Sequence, residues 1–147
     1  MKKLVAIGVI TVLFSSCGTE QTTNNVAATG AVTDSEIGKV VKVQPIGSQD
    51  AKNLLAKQQD IVILDVRTPQ EFNSGHLTNA QHIDFFAPDF AQQLTSLDTS
   101  KPYLVYCAVG GRSRKAVRVM QELGFSVVYD ANEGYAALQR AGIAVEQ

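Results

Sequence analysis

The sequence predicts an α/β domain with a five-stranded, mostly parallel sheet flanked by helices. Three observations carry this. From Val40 onward, short apolar runs alternate with amphipathic segments, the order expected of strands joined by crossover helices. Two of the runs, 61–64 and 103–106, are continuously apolar, as strands covered on both faces are. After Tyr106 a Gly-Gly loop passes directly into a segment whose Ala116, Val119, Met120 and Leu123 recur at i, i+3, i+4 and i+7.

Taken in order, 40–43 reads as a short first strand. Ser48 is placed to cap a helix that runs through Ala51, Leu54 and Leu55 to about Gln58. The run 61–64 is the second strand. Thr68-Pro69-Gln70-Glu71 forms a capping box with proline at the first helical position, opening a short helix that stops near Ser74-Gly75. Residues 80–83 form a third strand, 89–97 a helix, and 103–106 the fourth strand. A long helix follows Ser113, 126–129 is the fifth strand, and 134–140 is a last short helix ended near Gly142.

The chain of 147 residues suits one domain, and no internal repeat is evident. A net charge of −1 argues against nucleic acid as a partner, which calls for a basic surface. With 18% charged and 45% apolar residues, the composition is that of a globular protein.

The amino terminus reads as an export signal at 1–17. Lys2 and Lys3 precede an apolar stretch, 4–14, that is too short to span a membrane. Ser15-Ser16-Cys17-Gly18 resembles the lipobox of bacterial lipoproteins, in which the cysteine becomes the lipid-modified first residue. Phe14 stands where an aliphatic residue is usual, with Leu13 one position further back; the plainer alternative is a secretory signal with an incidental cysteine. Residues 18–39, rich in Thr, Asn, Ala and Gly, read as a flexible tether of roughly 25 Å r.m.s. reach. The expected organisation is therefore signal 1–17, linker 18–39 and folded domain 40–147, exported to the bacterial cell envelope. The domain would face the periplasm and be held to a membrane only through a lipid on Cys17.

Of the two cysteines, Cys107 would then be the only thiol of the mature chain. It lies at the mouth of a strand-loop-helix unit, Tyr106-Cys107-Ala108-Val109-Gly110-Gly111-Arg112-Ser113. That unit aims backbone N–H groups and the positive end of a helix at one sulfur. An ordinary thiol is only about 3% ionised at pH 7, and lowering its pKa by about two units requires about 2.7 kcal/mol. A helix N-terminus supplies up to about 2 kcal/mol, and hydrogen bonds to a charged acceptor roughly 1.5 to 3 kcal/mol each. The loop can therefore make a thiolate without a neighbouring histidine, and neither His76 nor His82 is near Cys107 in sequence. Two histidines and one free cysteine give no metal site, and no cofactor is implied.

Two segments carry a family likeness. One is Leu64-Asp65-Val66-Arg67 with Glu71-Phe72, Gly75-His76-Leu77 and Ala80. The other is Cys107, Gly110, Arg112 and Ser113 with Gly124-Phe125. Together they resemble a single rhodanese domain, of the kind found in small periplasmic rhodaneses. The resemblance implies a five-stranded parallel core and transfer of sulfane sulfur through a persulfide on Cys107. The donor would be a small anion such as thiosulfate, or a persulfide. The acceptor would be thiophilic, with a protein acceptor as a further partner.

The residues expected to bind substrate are Ala108, Val109, Gly110, Gly111, Arg112 and Ser113, with Arg67 near the loop. Arg112 has an alternative role, tying the loop to a carboxylate such as Asp65. Arg67 and Glu71 could form an i, i+4 pair. Lys115 and Arg118 read as a solvated helix face, and His76 as a hydrogen-bonded residue of a tight turn. The sequence departs from the family pattern at Ala108 and Val109, apolar where many members are polar or cationic. It departs again at Asn132-Glu133-Gly134, where a glycine pair is common and Asn132 would supply a left-handed turn.

Two rivals stand beside this reading. A cysteine phosphatase or arsenate reductase of related fold separates its cysteine and arginine by five residues; here four intervene, Ala108 to Gly111, a smaller ring that suits a sulfur atom. A sulfur-carrier or interaction module without small-molecule turnover would keep the fold without the catalysis.

Overall fold

The computed structural model describes residues 42–147. The expected signal 1–17 with Cys17, the expected linker 18–39 and Val40-Val41 lie outside the described residues. The main sheet holds five parallel strands in the order β1 (Lys42–Ile46), β6 (Val127–Ala131), β5 (Pro102–Tyr106), β2 (Val62–Asp65), β4 (Gln81–His82). The helices are α1 (Ser48–Lys57), α2 (Pro69–Asn73), α3 (Phe90–Leu94), α4 (Gly111–Glu122) and α5 (Tyr135–Arg140). A two-stranded antiparallel pair, β3 (His76–Leu77) with β7 (Val145–Glu146), was not foreseen: two-residue strands are too short to show a periodicity.

Strand β5 explains how the sheet divides the core. Tyr103, Val105 and Cys107 pack on one side with Leu64, Val128, Met120 and Phe90, beneath α3 and α4. Leu104 and Tyr106 pack on the other with Ala51, Leu77 and Leu138, beneath α1 and α5. The period-two alternation thus sends Cys107 to the α4 side of the sheet. It also places the cysteine at the carboxyl end of the central strand. There the order turns outward from β2 to β4 in one direction and to β5 and β6 in the other, the usual ligand position in such sheets.

Boundaries shift for local reasons. β1 extends to Ile46 because it is an edge strand, exposed at four of its five positions, and gives little apolar signal. α3 ends at Leu94 because Thr95 and Ser96 turn their hydroxyls back onto the carbonyls of Gln92 and Gln93. The capping box of α2 is present as expected, with Thr68 as N-cap and Pro69 at N1. Ser48 does not cap α1. It is the first helical residue, and its N–H (2.8 Å) and hydroxyl (2.5 Å) both donate to the Glu133 carboxylate, which arrives from the loop after β6.

Arg67 is a structural clamp, only 4% exposed. Its Nε and Nη2 bind the buried Asp65 carboxylate at 2.6–3.0 Å, Nη2 donates to the Gly75 carbonyl at 2.7 Å, and the Tyr135 ring lies 4.0 Å from its guanidinium carbon. This corrects one expectation: Arg67 does not pair with Glu71, because it precedes α2 and so shares no helix face with that residue. Replacing Arg67 with Met leaves Asp65 buried without its cation, with the backbone N–H of residue 67 still donating to it; the expected cost is about 3–5 kcal/mol of unfolding free energy by denaturant titration.

Candidate active site

Helix α4 begins without a capping side chain. Its N-cap is Gly110, at φ +85°, and no side-chain oxygen takes up the first N–H groups of the helix. The Cys107 sulfur does so instead. Gly110 N–H donates to Sγ at 3.1 Å. The backbone N–H groups of Ser113, Val109 and Arg112, and the Ser113 hydroxyl, also act on the sulfur, while the hydroxyl itself lies 2.7 Å from Asp130 Oδ1. Arg112 and Ser113 occupy N2 and N3, the positions whose N–H groups an N-cap oxygen normally binds. Because α4 starts at Gly111 rather than after Ser113, both residues lie within its first turn.

These donors set the chemistry of the sulfur. Cys107 is wholly buried. Burial pushes its pKa up, but the hydrogen bonds from Ser113, Val109 and Arg112 outweigh it and hold the thiol below its ordinary value. In a site closed to water, such donors act more strongly than they would in solvent.

The loop is shaped from behind by the segment after β6. A Cβ on Gly110 would collide with the Asn132 carbonyl, and one on Gly134, at φ +80°, with the Ala108 carbonyl. Tyr135 N–H donates to the Cys107 carbonyl at 2.8 Å. The two loops therefore meet backbone to backbone. Asn132 does not adopt the left-handed turn anticipated for it: among the described residues the one non-glycine with positive φ is Asn79, and Gly134 takes the strained position itself.

Arg112 is held by Glu71, not by Asp65. Nη1 and Nη2 each donate to a Glu71 oxygen at 2.7 Å, the Phe86 ring lies 5.5 Å from the guanidinium carbon, and the Cys107 charge acts on the same group. Its positive charge at the loop is thus already matched by a carboxylate. Sequence reasoning gave Glu71 to its capping box, to a pair with Arg67 and to the family motif, but not to Arg112. The same carboxylate also takes the Thr68 N–H and hydroxyl, so it ties α2 to the start of α4. Ala108 is half-buried, Gly111 exposed and Ser113 buried, while Val109 is 81% exposed at the loop tip and Phe86 is 66% exposed beside Arg112. Lys115 and Arg118 face solvent. His76 stacks on Phe72 and its Nδ1 lies 3.1 Å from the Phe72 carbonyl; His82 Nε2 lies 2.9 Å from the Arg67 carbonyl.

The Glu71 carboxyl is lowered to about 2 from its ordinary 4.5, first by the Arg112 hydrogen bond, against burial, and then by Thr68. A depressed folded-state pKa stabilises the fold above the ordinary value, and that contribution is lost as pH falls through the lowered one. Stability should therefore decline between about pH 4.5 and pH 2. In Glu71→Gln, whose amide preserves the capping box, thermal melts should show lower stability at neutral pH and a shallower acid limb.

The model of a family described as Rhodanese-like domain matches residues 48–141. A protein named thiosulfate sulfurtransferase GlpE from Pseudomonas putida is 36% identical over 81 residues, spanning 55% of this chain and 72% of that one. A chloroplastic protein of Arabidopsis thaliana named thiosulfate sulfurtransferase 16 is 37% identical over 90 residues, spanning 54% and 75%. Among solved structures, a rhodanese-like domain of an Anabaena sp. protein superposes with a TM-score of 0.63 at 27% identity, covering 69% of this chain and 77% of that one. A rhodanese-like domain protein of Staphylococcus aureus gives 0.61 at 27% identity, covering 71% and 99%. Fold, loop and sequence agree: this chain belongs to the rhodanese-like domain family.

Proposed function

We propose that the protein is a sulfurtransferase that carries sulfane sulfur as a persulfide on Cys107. The observation that supports this most is the convergence of the N–H groups of Val109, Gly110, Arg112 and Ser113 on one buried sulfur. The Cys107 thiolate attacks the outer sulfur of a donor such as thiosulfate. An S–S bond forms at Cys107 and the donor's own S–S bond breaks, sulfite leaving with the electron pair. The outer sulfur and its charge then lie within reach of the same ring of donors. A thiophilic acceptor, cyanide or a thiol, takes that sulfur and returns the thiolate, so the kinetics are ping-pong.

A second reading, delivery of sulfur to a protein thiol, is favoured by the exposed Val109 and Phe86 at the mouth, where apolar surface suits a larger acceptor. A phosphatase or arsenate reductase is disfavoured by the four-residue spacing and by the engagement of Arg112 with Glu71. The proposal includes export and anchoring at the bacterial envelope through a lipid on Cys17.

Intact-mass measurement after brief thiosulfate treatment should show a gain of one sulfur that cyanide removes. Cys107→Ser should show no gain and no transfer while melting as the native protein does. The loading rate should fall as pH drops through the lowered Cys107 pKa. Fast discharge to a protein thiol with slow discharge to cyanide would favour the carrier reading. No gain from thiosulfate or from a persulfide, with the thiol still open to alkylation, would refute sulfur transfer. For the anchor, labelling of cells with a fatty-acid analogue should tag the native chain and leave Cys17→Ser unlabelled.

A further inference from the structure

Asp130 is the one buried acid among the described residues without a cation bound to it. It is 4% exposed, as unavailable to solvent as Arg67, yet its hydrogen-bond partner is a hydroxyl, Ser113 Oγ at 2.7 Å. The other buried carboxylate, Asp65, has Arg67. A carboxylate removed from water and left without a counter-charge is costly. This one lies at the next-to-last residue of β6, on the α4 side of the sheet with Val128, behind the loop that must carry a negative sulfur. Two like charges so placed oppose each other.

Ser113 stands between them with one proton to give. Its Oγ is 2.7 Å from Asp130 Oδ1 and 3.2 Å from the carbonyl of Gly110, the residue whose N–H binds Cys107 Sγ at 3.1 Å, and the hydroxyl also acts on the Cys107 sulfur. A hydroxyl serves one of these acceptors at a time. We propose that Asp130 is a positioning residue for the sulfur: through Ser113 it decides whether the hydroxyl proton points at Cys107 or away from it. With Asp130 ionised, the carboxylate holds the Ser113 proton and the sulfur loses that donor. With Asp130 protonated, the carboxyl donates to Ser113 Oγ, and the Ser113 proton turns to the thiolate.

Burial raises Asp130 above its ordinary value, against the Ser113 hydrogen bond and the Arg114 charge, so its titration is displaced toward that of Cys107, which is lowered. The surroundings hold few competitors. From α4, Arg114 acts on Asp130 through its charge and Arg118 borders the same shallow cleft; from β1, only Val43 and Pro45 border it; from β5, Val105 is its register partner. On the sulfur side, Arg112 is matched by Glu71.

The inference rests on Cys107 as a reactive thiolate, and its test needs no sulfur transfer. The pH profile of Cys107 alkylation by iodoacetamide reads the thiolate directly in the full chain, whatever donor the protein uses. Asp130→Asn should move the alkylation midpoint to lower pH by half a unit or more, about threefold more thiolate on the acid limb. Adding Ser113→Ala to that variant should remove more than half of the shift, whereas Ser113→Thr, which keeps the hydroxyl, should preserve it. An unmoved midpoint in Asp130→Asn overturns the proposal. So does a shift that survives Ser113→Ala by half or more, since Asp130 would then act through space alone. If the Asn variant does not fold, Asp130→Ser removes the charge at smaller volume and is read by the same criteria.

Discussion

The hydrogen bonding of one sulfur atom is the constraint on which the rest of this site depends. α4 opens with N–H groups that no side-chain oxygen caps, and β5 ends with a buried thiol whose neighbouring guanidinium, Arg112, is already paired with Glu71. Each defect is the remedy for the other. A helix end with unsatisfied donors is costly, and so is a buried thiolate; joined by a loop short enough to fold back, the two offset each other. The result is a thiol whose pKa is lowered by hydrogen bonds, most of them from main-chain groups that side-chain substitutions at the loop surface leave in place.

That arrangement sets demands on distant parts of the chain. The loop closes tightly only where Gly110 meets the Asn132 carbonyl and Gly134 meets the Ala108 carbonyl, so the segment after β6 is as much part of the site as the segment after β5. Glu133, in the same segment, reaches out to hold the start of α1. Glu71 closes α2 and grips Arg112 at once. Three loops at the carboxyl edge of the sheet are thereby locked to one another by polar contacts, above a core that packs on both sheet faces.

The charges around the loop are balanced more fully than the basic sequence after Gly111 suggests. Arg112 belongs to Glu71 and Arg67 to Asp65, and the exposed large apolar side chains at the loop are Val109, on its tip, and Phe86, beside Arg112. An anion approaching Cys107 meets N–H dipoles rather than a free cation. In the proposed reaction, selectivity would then rest on fitting the ring and on the apolar rim, more than on long-range attraction.

The alternation of strands and helices, the capping box at Thr68, the loop from Cys107 to Ser113 and the family likeness were all legible in the chain, because each is written within a few neighbouring residues or a short period. Local chemistry also told that Cys107 would face several N–H groups, since a strand, a Gly-Gly loop and a helix start in succession allow little else. The partners of charged side chains were not legible. Arg67 lies four residues from Glu71 and binds Asp65; Arg112 finds Glu71 across 41 positions; Ser48 finds Glu133 across 85; Ser113 finds Asp130 across 17. The sequence by itself determined the main strands and helices and the thiol on which the loop's N–H groups converge. Only the tertiary structure decided which carboxylate meets which cation or hydroxyl, because those choices follow from strand order and loop approach, and no local pattern encodes either.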